Sequence, residues 1–159
     1  MFRNTTHSGK GNARPSLARK AQRRLSEYMW NILLVLAGGA VGSLARYGLA
    51  ALTRQIWPVA EWPVGTFIAN VTGGVAMGVL MGLLLGPLKG VVDTERLRLL
   101  LGVGLLGGYT TFSSFSLETV FMLERRHYLM AMAYAVTSVV LAVGGVALGL
   151  WLVRRVVPA

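Results

Sequence analysis

The chain has 159 residues, of which 54% are hydrophobic and 14% are charged, and its formal net charge is +10. Soluble domains carry about 25% charged residues, so this composition excludes a soluble enzyme, and the chain is too short to add a large catalytic domain to its apolar segments. The absence of cysteine excludes disulfides, iron–sulfur clusters and thiolate zinc sites, and two histidines make a poor metal site.

Residues 1–27 are predicted to form a basic, disordered tail. The first 26 residues contain seven Lys or Arg and no acidic residue, and they lack an apolar run that could bury a core. Such a tail could bind nucleic acid or anionic lipid, or could be an exposed cytoplasmic extension, and the last of these is favoured. It also lacks the apolar face of helical period that a transit peptide needs. Met29 opens the first apolar run and is a candidate translation start.

Four apolar segments follow, each close to the roughly 20 residues that cross a bilayer as a helix. They predict an all-α integral membrane protein with a single four-helix domain over residues 28–155, whose spans lie at about 29–52, 63–85, 97–123 and 128–153. Basic residues concentrate in the tail, the loop after span two and the C-terminus, which predicts that both termini face the cytoplasm. Without the tail this bias is weak and permits both orientations.

Spans one and two carry small residues at the spacing that lets helices approach closely in lipid. In span two this stripe includes Asn70, whose amide is costly inside hydrocarbon unless it finds a partner or faces water. Asn70 is therefore either a structural hydrogen-bonding group or a ligand in a transport pathway. In span one Arg46 either extends to the interface or raises the local anion concentration in a vestibule.

Span three contains the strongest local signal, the run Gly107-Gly-Tyr-Thr-Thr-Phe-Ser-Ser-Phe-Ser116. Two glycines followed by hydroxyl residues predict a helix that is broken at mid-membrane, where unwound backbone occurs only if it is buried or lines a cavity. Such breaks commonly present carbonyls to cations. Phe112 and Phe115 fall on one face, where their electropositive ring edges suit an anion, although packing alone also explains them.

Span four places Tyr134 and Ser138 one turn apart, either as a polar track or as two interhelical hydrogen bonds. No acidic residue falls at the centre of a span, Glu118 being the nearest, which disfavours a cation antiporter. No phosphate-binding loop and no set of nucleophile, base and orienting group is present, so the chain is not expected to be an enzyme.

Three motifs in order resemble the Fluc (CrcB-type) fluoride channels: residues 38–47, residues 65–73 around Asn70, and residues 107–116. The resemblance extends over all four spans, from about Met29 to Val153. It implies an antiparallel, dual-topology dimer with two fluoride pores and a structural sodium ion at the centre of the dimer. By position, the backbone carbonyls of Gly107 and Thr110 would hold this sodium ion.

The resemblance also implies which side chains line the fluoride pathway. Asn70 would donate to fluoride, while Phe112 and Phe115 would present their ring edges. Hydroxyls along the pathway would come from Ser113, Ser114, Tyr134 and Ser138. Ser114 replaces the Thr that is usual there, and Tyr109 replaces an aliphatic residue for a reason that the sequence does not provide.

The function implied is passive export of fluoride, which enters as HF and is trapped at the higher cytoplasmic pH. We expect a bacterial inner-membrane protein whose partners are fluoride, lipid and a second chain, and we expect no nucleic-acid partner. The second chain would be another copy, or a paired homologue because the tail favours one orientation. The alternatives are a small four-helix multidrug or cation exporter that uses Glu118, and a membrane scaffold.

Overall fold

The computed structural model describes residues 13–157 and the side chains of residues 17–157. Over these residues the named elements are all helical, with no strand. They are six α-helices, numbered α1 to α6, and one π-helix between α3 and α4. Their bounds are α1 Ala13–Ile56, α2 Val64–Leu85, α3 Thr94–Leu97, the π-helix Arg98–Leu106, α4 Gly107–Tyr109, α5 Phe112–Glu124 and α6 Tyr128–Val156.

Four helical stretches are long and apolar enough to cross a membrane: Leu17–Ile56, Val64–Leu85, Thr94–Glu124 and Tyr128–Val156. They overlap the four segments predicted from hydropathy, so the prediction of an all-α protein with four candidate membrane spans is confirmed. The third stretch comprises α3, the π-helix, α4 and α5. Because its backbone changes conformation several times, this stretch is the irregular one of the four.

The described residues divide into two compact units, with the boundary between Leu33 and Leu34. In the first unit α1 begins at Ala13, so residues 13–27 are helical where a disordered tail was predicted. Ala, Leu, Arg, Lys and Gln dominate this stretch, and they are strong helix formers. Helix formation also gives residues 17–28 an apolar face, which the tail was expected to lack. Residues 1–12 of the predicted tail lie outside the described residues.

In the second unit α2 and α6 pack backbone against backbone. A Cβ atom added to Gly74 would lie 2.6 Å from the Ala142 carbonyl oxygen, and one added to Gly78 would collide with the Val146 carbonyl. From the other side, a Cβ atom on Gly149 would lie 2.5 Å from the carbonyl oxygen of Val75. The stripe of small residues in span two thus provides the close helix contact that its spacing predicts.

Residues 34–56 of α1 approach the third stretch just as closely. A Cβ atom on Gly42 would collide with the Leu105 carbonyl, and one on Gly108 would lie 2.6 Å from the Gly39 carbonyl oxygen. Glycine on both sides of this contact brings α1 within reach of the residues that connect α4 to α5.

A compact aromatic core lies where α5, α6 and the start of α2 meet. Its buried members are Phe115, Met122, Ala131 and Tyr134, and partly buried Trp62, Phe67, Met130 and Ala135 pack against them. This core fixes the position of α5 relative to α6, on the C-terminal side of the connection from α4.

Candidate functional site

Two residues of extended backbone separate α4 from α5. Thr110 has φ −82° and ψ 159°, and Thr111 has φ −153° and ψ 126°, so neither continues the helix. Thr111 is the N-cap of α5, because its hydroxyl oxygen accepts a hydrogen bond from the Ser114 backbone N–H at 3.2 Å. Threonine is a preferred N-cap residue, so Thr111 is a signal in the sequence for the start of α5 that the prediction did not use.

Asn70 of α2 binds both polar groups of the Thr111 backbone. Its side-chain Nδ2 donates to the Thr111 carbonyl oxygen at 2.9 Å, and its Oδ1 accepts from the Thr111 N–H at 2.8 Å. These two hydrogen bonds replace those that a continuous helix would supply. Of the two interpretations open for Asn70, the structural one is therefore observed. An amide nitrogen has two hydrogens, so one remains for a ligand.

The side chains of Asn70 and Thr111 accept hydrogen bonds from two backbone N–H groups that would otherwise bond to backbone carbonyls. In an α-helix the N–H of Thr111 would bond to the carbonyl of Gly107, and that of Ser114 to the carbonyl of Thr110. Here the Thr111 N–H bonds to Asn70 and the Ser114 N–H bonds to the Thr111 hydroxyl. The carbonyls of Gly107 and Thr110 are thereby released from their helical partners, which leaves two oxygens able to accept from or coordinate another group.

Arg46 of α1 also reaches this connection. Its Nε donates to the carbonyl oxygen of Gly108 at 3.0 Å, and the side chain is half-buried. The structure therefore places Arg46 against the end of α4. A vestibule role for Arg46 stays a prediction, to which this contact adds a positioning role.

Replacing Arg46 with methionine is expected to slow the anion transport implied by the resemblance by at least about tenfold, because a hydrogen bond from a charged donor is worth about 1.5–3 kcal/mol. The measurement is the initial rate of anion efflux from liposomes at low and at high salt. If Arg46 positions Gly108, the loss is the same at both salt concentrations, whereas a steering charge gives a loss that shrinks in high salt. The matched control is Arg54→Met, since Arg54 Nε donates to the Ala50 carbonyl within α1 and, among the described residues, does not reach the α4–α5 connection.

Tyr109 also connects the third stretch to α2. The sequence alone did not explain why a tyrosine replaces an aliphatic residue at this position. Its hydroxyl lies 3.0 Å from the hydroxyl oxygen of Thr72, which in turn donates to the Ile68 carbonyl at 2.7 Å. An aliphatic side chain cannot make this hydrogen bond, so the tyrosine provides an additional contact between α4 and α2.

A cavity of about 340 Å³ opens beside the α4–α5 connection. Asn70, Phe112, Phe115 and Ser138, all predicted pathway residues, line it together, and Thr110 and Thr111 lie at its wall. The remaining lining comes from α2 and α6, and consists of Gly73, Gly74, Met77, Val139, Ala142, Val143 and Val146. The structure thus collects predicted residues from three different spans around one space.

Ser138 is the polar group most in need of a ligand in this cavity. The residue is 3% exposed, and among the described residues its Oγ has no hydrogen-bond partner. A buried hydroxyl without a partner is costly, so a ligand that accepts a hydrogen bond would be stabilised there. Phe112 is 76% exposed, and its ring centroid lies 5.5 Å from that of Phe115.

Three predicted pathway residues do not line this cavity. The Ser114 backbone N–H donates to the Thr111 hydroxyl oxygen, and the Thr111 hydroxyl donates to Ser114 Oγ, at 3.2 Å each. The Oγ of the exposed Ser113 lies 3.3 Å from the same Thr111 oxygen. Tyr134 is fully buried, between the rings of Trp62 and Phe115 at 5.3 Å each. A pathway role for these three residues stays a prediction.

The Tyr134 hydroxyl belongs to a partly buried chain of hydrogen bonds that was not predicted from the sequence. It donates to Glu118 Oε2 at 2.8 Å, and Thr66 donates to Glu118 Oε1 at 2.7 Å. Glu118 and Thr66 also line a second cavity of about 420 Å³, together with Arg54. Thr66 lies on the small-residue stripe one turn before Asn70. That position could have indicated from the sequence that Thr66 takes part in a polar contact between helices.

Comparison with known proteins decides the family. A model of the family described as "CrcB-like protein, Camphor Resistance (CrcB)" matches residues 33–150. The chain belongs to the CrcB-like family. Members of this family with curated names are similar over most of their length, and the predicted resemblance is therefore confirmed.

Three of these CrcB-like relatives illustrate the similarity, and each is named "Fluoride-specific ion channel FluC". The protein from Caulobacter sp. (strain K31) is 48% identical over 128 residues, which cover 80% of this chain and 98% of the relative. The protein from Phenylobacterium zucineum (strain HLK1) is 52% identical over 128 residues, with the same coverage. The protein from Coxiella burnetii (strain CbuK_Q154) is 40% identical over 125 residues, covering 79% and 98%. These names agree with a channel and not with a cation exporter.

Proposed function

We propose that this chain forms a fluoride-selective ion channel that passively exports cytoplasmic fluoride and lowers its toxic concentration in the cell. The observation that carries the proposal is the cavity that joins Asn70, Phe112, Phe115 and the unpaired hydroxyl of Ser138. Relatives that are 40–52% identical are named for this activity. The proposed activity is transport and involves no catalysis. Its site is the bacterial inner membrane, which the protein crosses several times.

The lining residues supply what a dehydrated fluoride ion requires. Fluoride holds its water tightly, so a selective path must replace that water with closely placed donors. The second amide hydrogen of Asn70 and the hydroxyl of Ser138 are such donors, and the exposed ring of Phe112 can turn its electropositive edge toward an anion. Chloride is larger and less strongly hydrated, and it gains less from donors in a narrow, otherwise apolar space.

The membrane potential drives the export. Fluoride enters the cell as neutral HF, dissociates at the higher cytoplasmic pH and is trapped as the anion. An inside-negative potential favours outward movement of each fluoride by about 2.3 kcal/mol per 100 mV. A passive selective pore therefore suffices, and no ATP is needed.

Fluoride efflux from reconstituted liposomes tests the proposal. Purified protein is reconstituted, the vesicles are loaded with potassium fluoride, and valinomycin releases the potassium so that fluoride can follow. We expect rapid fluoride efflux and no efflux from matched vesicles loaded with potassium chloride. Equal rates for both anions would contradict selectivity. Silence in both would leave a missing partner chain as the explanation, which co-expression with a paired homologue then tests.

The channel is proposed to be an antiparallel, dual-topology dimer in which the third span is broken at mid-membrane. Supporting this, the extended residues Thr110 and Thr111 fall inside the third candidate span, and Gly107 and Phe112 beside them are exposed in the single chain. Unwound backbone inside the hydrocarbon region occurs only where it is buried in protein or lines a water-filled cavity, so the exposed surface beside it favours a protein partner. The partner is a second copy or, because the basic tail favours one orientation, a paired homologue.

A structural sodium ion is proposed where the two chains would meet. The carbonyls of Gly107 and Thr110 fit such an ion, because their helical donors are diverted to Asn70 and Thr111. Carbonyls of unwound membrane helices are suitable sodium ligands. When bound, the ion would neutralise the partial negative charge of these oxygens. The same carbonyls of the second chain would complete its coordination.

Removing sodium is expected to slow fluoride efflux by at least about tenfold, since each buried carbonyl left unsatisfied costs about 1–3 kcal/mol. The measurement compares vesicles prepared with sodium on both sides and vesicles prepared with N-methylglucamine instead. Restoring sodium should restore the rate. An unchanged efflux rate in the complete absence of sodium would contradict the sodium site and leave the fluoride pathway standing.

A further inference from the structure

Residues 17–28, here called the basic segment, form an amphipathic stretch of α1. Leu17, Ala21, Leu25 and Tyr28 recur at the spacing that aligns side chains along one helix face. Arg19, Lys20 and Arg23 occupy the rest of the helix surface, and Arg24 borders the apolar face beside Leu17 and Tyr28. Glu27 is the one acidic residue of the segment, so its net charge is strongly positive.

Both faces of the basic segment are exposed. The apolar side chains Leu17, Leu25 and Tyr28 are 66%, 65% and 65% exposed, and the four basic side chains are exposed as well. The family model begins at residue 33, after this segment. The channel fold shared with the family therefore does not account for it.

We infer that the basic segment is an interfacial helix that binds anionic lipid headgroups. A helix with Lys and Arg on one side and Leu and Tyr on the other lies in the plane of the interface, with its apolar face toward the acyl chains. Because α1 is one continuous helix from Ala13 to Ile56, the inference includes a bend of α1 in the membrane between Tyr28 and the apolar residues that cross it. Its basic residues attract anionic lipids in the same leaflet. The segment directly precedes the apolar part of the first candidate span, which keeps it near the bilayer surface.

The apolar face decides between lipid and nucleic acid as the partner. Arginines and lysines alone would suit the phosphates of either. Binding to nucleic-acid phosphates, however, would leave the apolar face of Leu, Ala and Tyr exposed to water, whereas binding at a bilayer interface would bury it. The inference rests on the chain being in a membrane and does not depend on fluoride selectivity.

Fluorescence from a single labelled cysteine tests the inference in the full-length protein, since the chain has no cysteine of its own. Ala21→Cys places an environment-sensitive dye on the apolar face, and Ser26→Cys is the matched control farther around the helix. Each variant is reconstituted into phosphatidylcholine vesicles with and without phosphatidylglycerol. We expect phosphatidylglycerol to shift the emission of the Ala21→Cys label to shorter wavelength and to make its quenching by spin-labelled lipid severalfold stronger than that of the control.

A charge variant completes the experiment with a readout that is independent of transport. Glutamine at all four basic positions preserves helix propensity and should abolish the response of the Ala21→Cys label to phosphatidylglycerol; the substituted residues are Arg19, Lys20, Arg23 and Arg24. Arg154→Gln with Arg155→Gln, at the other basic end, should leave the response intact. Equal quenching with and without phosphatidylglycerol, or a label that responds to added duplex RNA instead, would overturn the inference.

Discussion

Replacing Asn70 with alanine is expected to reduce fluoride efflux by at least about 30-fold. Two hydrogen bonds to the Thr111 backbone are lost, each worth about 1–3 kcal/mol when the partner stays buried, and each 1.4 kcal/mol corresponds to about tenfold in rate. The cavity also loses its amide donor. Efflux from potassium fluoride-loaded liposomes measures the rate, and size-exclusion chromatography in detergent shows whether the variant is still folded.

Thr72→Val is the matched control for Asn70→Ala on the same helix. It removes the exposed hydrogen bond to the Tyr109 hydroxyl and leaves the cavity lining unchanged, so we expect less than about a tenfold loss. Wild-type efflux in a folded Asn70→Ala protein would contradict both roles of Asn70. Equal losses in the two variants would show that any contact between α2 and the third stretch matters, and not the amide in particular.

Replacing Gly78 with alanine is expected to destabilise the folded protein by about 1–3 kcal/mol or more. The added methyl group would collide with the carbonyl of Val146, a backbone atom that cannot rotate away, so α2 and α6 must separate. The expected result is a lower temperature at which the monodisperse chromatographic peak is lost on heating in detergent. Fluoride efflux should fall with it, since both helices line the cavity.

Gly144→Ala provides the control for Gly78→Ala. No atom lies within 4 Å of the Cβ position at Gly144, on the side of α6 away from α2. Alanine there should leave the protein at least as stable, because it is the better helix former. If both variants lost stability equally, the cause would be glycine content in general, and the close contact between α2 and α6 would not be needed.

The sequence predicts the four candidate spans well because membrane helices must be long and continuously apolar. Charges and loops bound them clearly, and the four stretches of the structure overlap the predicted ones. The prediction failed at the N-terminus. Residues 13–27 were predicted to be disordered because they are highly charged and cannot bury a core. Their high helix propensity and the helical spacing of their apolar residues, which explain why they are helical, were overlooked.

The composition of the cavity was also predictable, since an amide and a hydroxyl inside apolar spans require partners. The partners themselves were not. Nothing in the local pattern indicates that Asn70 pairs with Thr111 or that Glu118 accepts from both Thr66 and Tyr134, because these contacts join residues that are distant in sequence. Only the packing of α2 against α5 and α6 determines them.

The connection between α4 and α5 is held by hydrogen bonds from two neighbouring helices. From Gly108 to Thr111, three of four residues are tied, by Arg46, Thr72 and Asn70. Unwound backbone in a membrane protein often serves as a hinge, but a hinge needs free dihedral angles. Its hydrogen bonds hold this connection in one conformation. We therefore expect the proposed pore beside it to conduct without opening and closing, with a single-channel current that varies linearly with voltage.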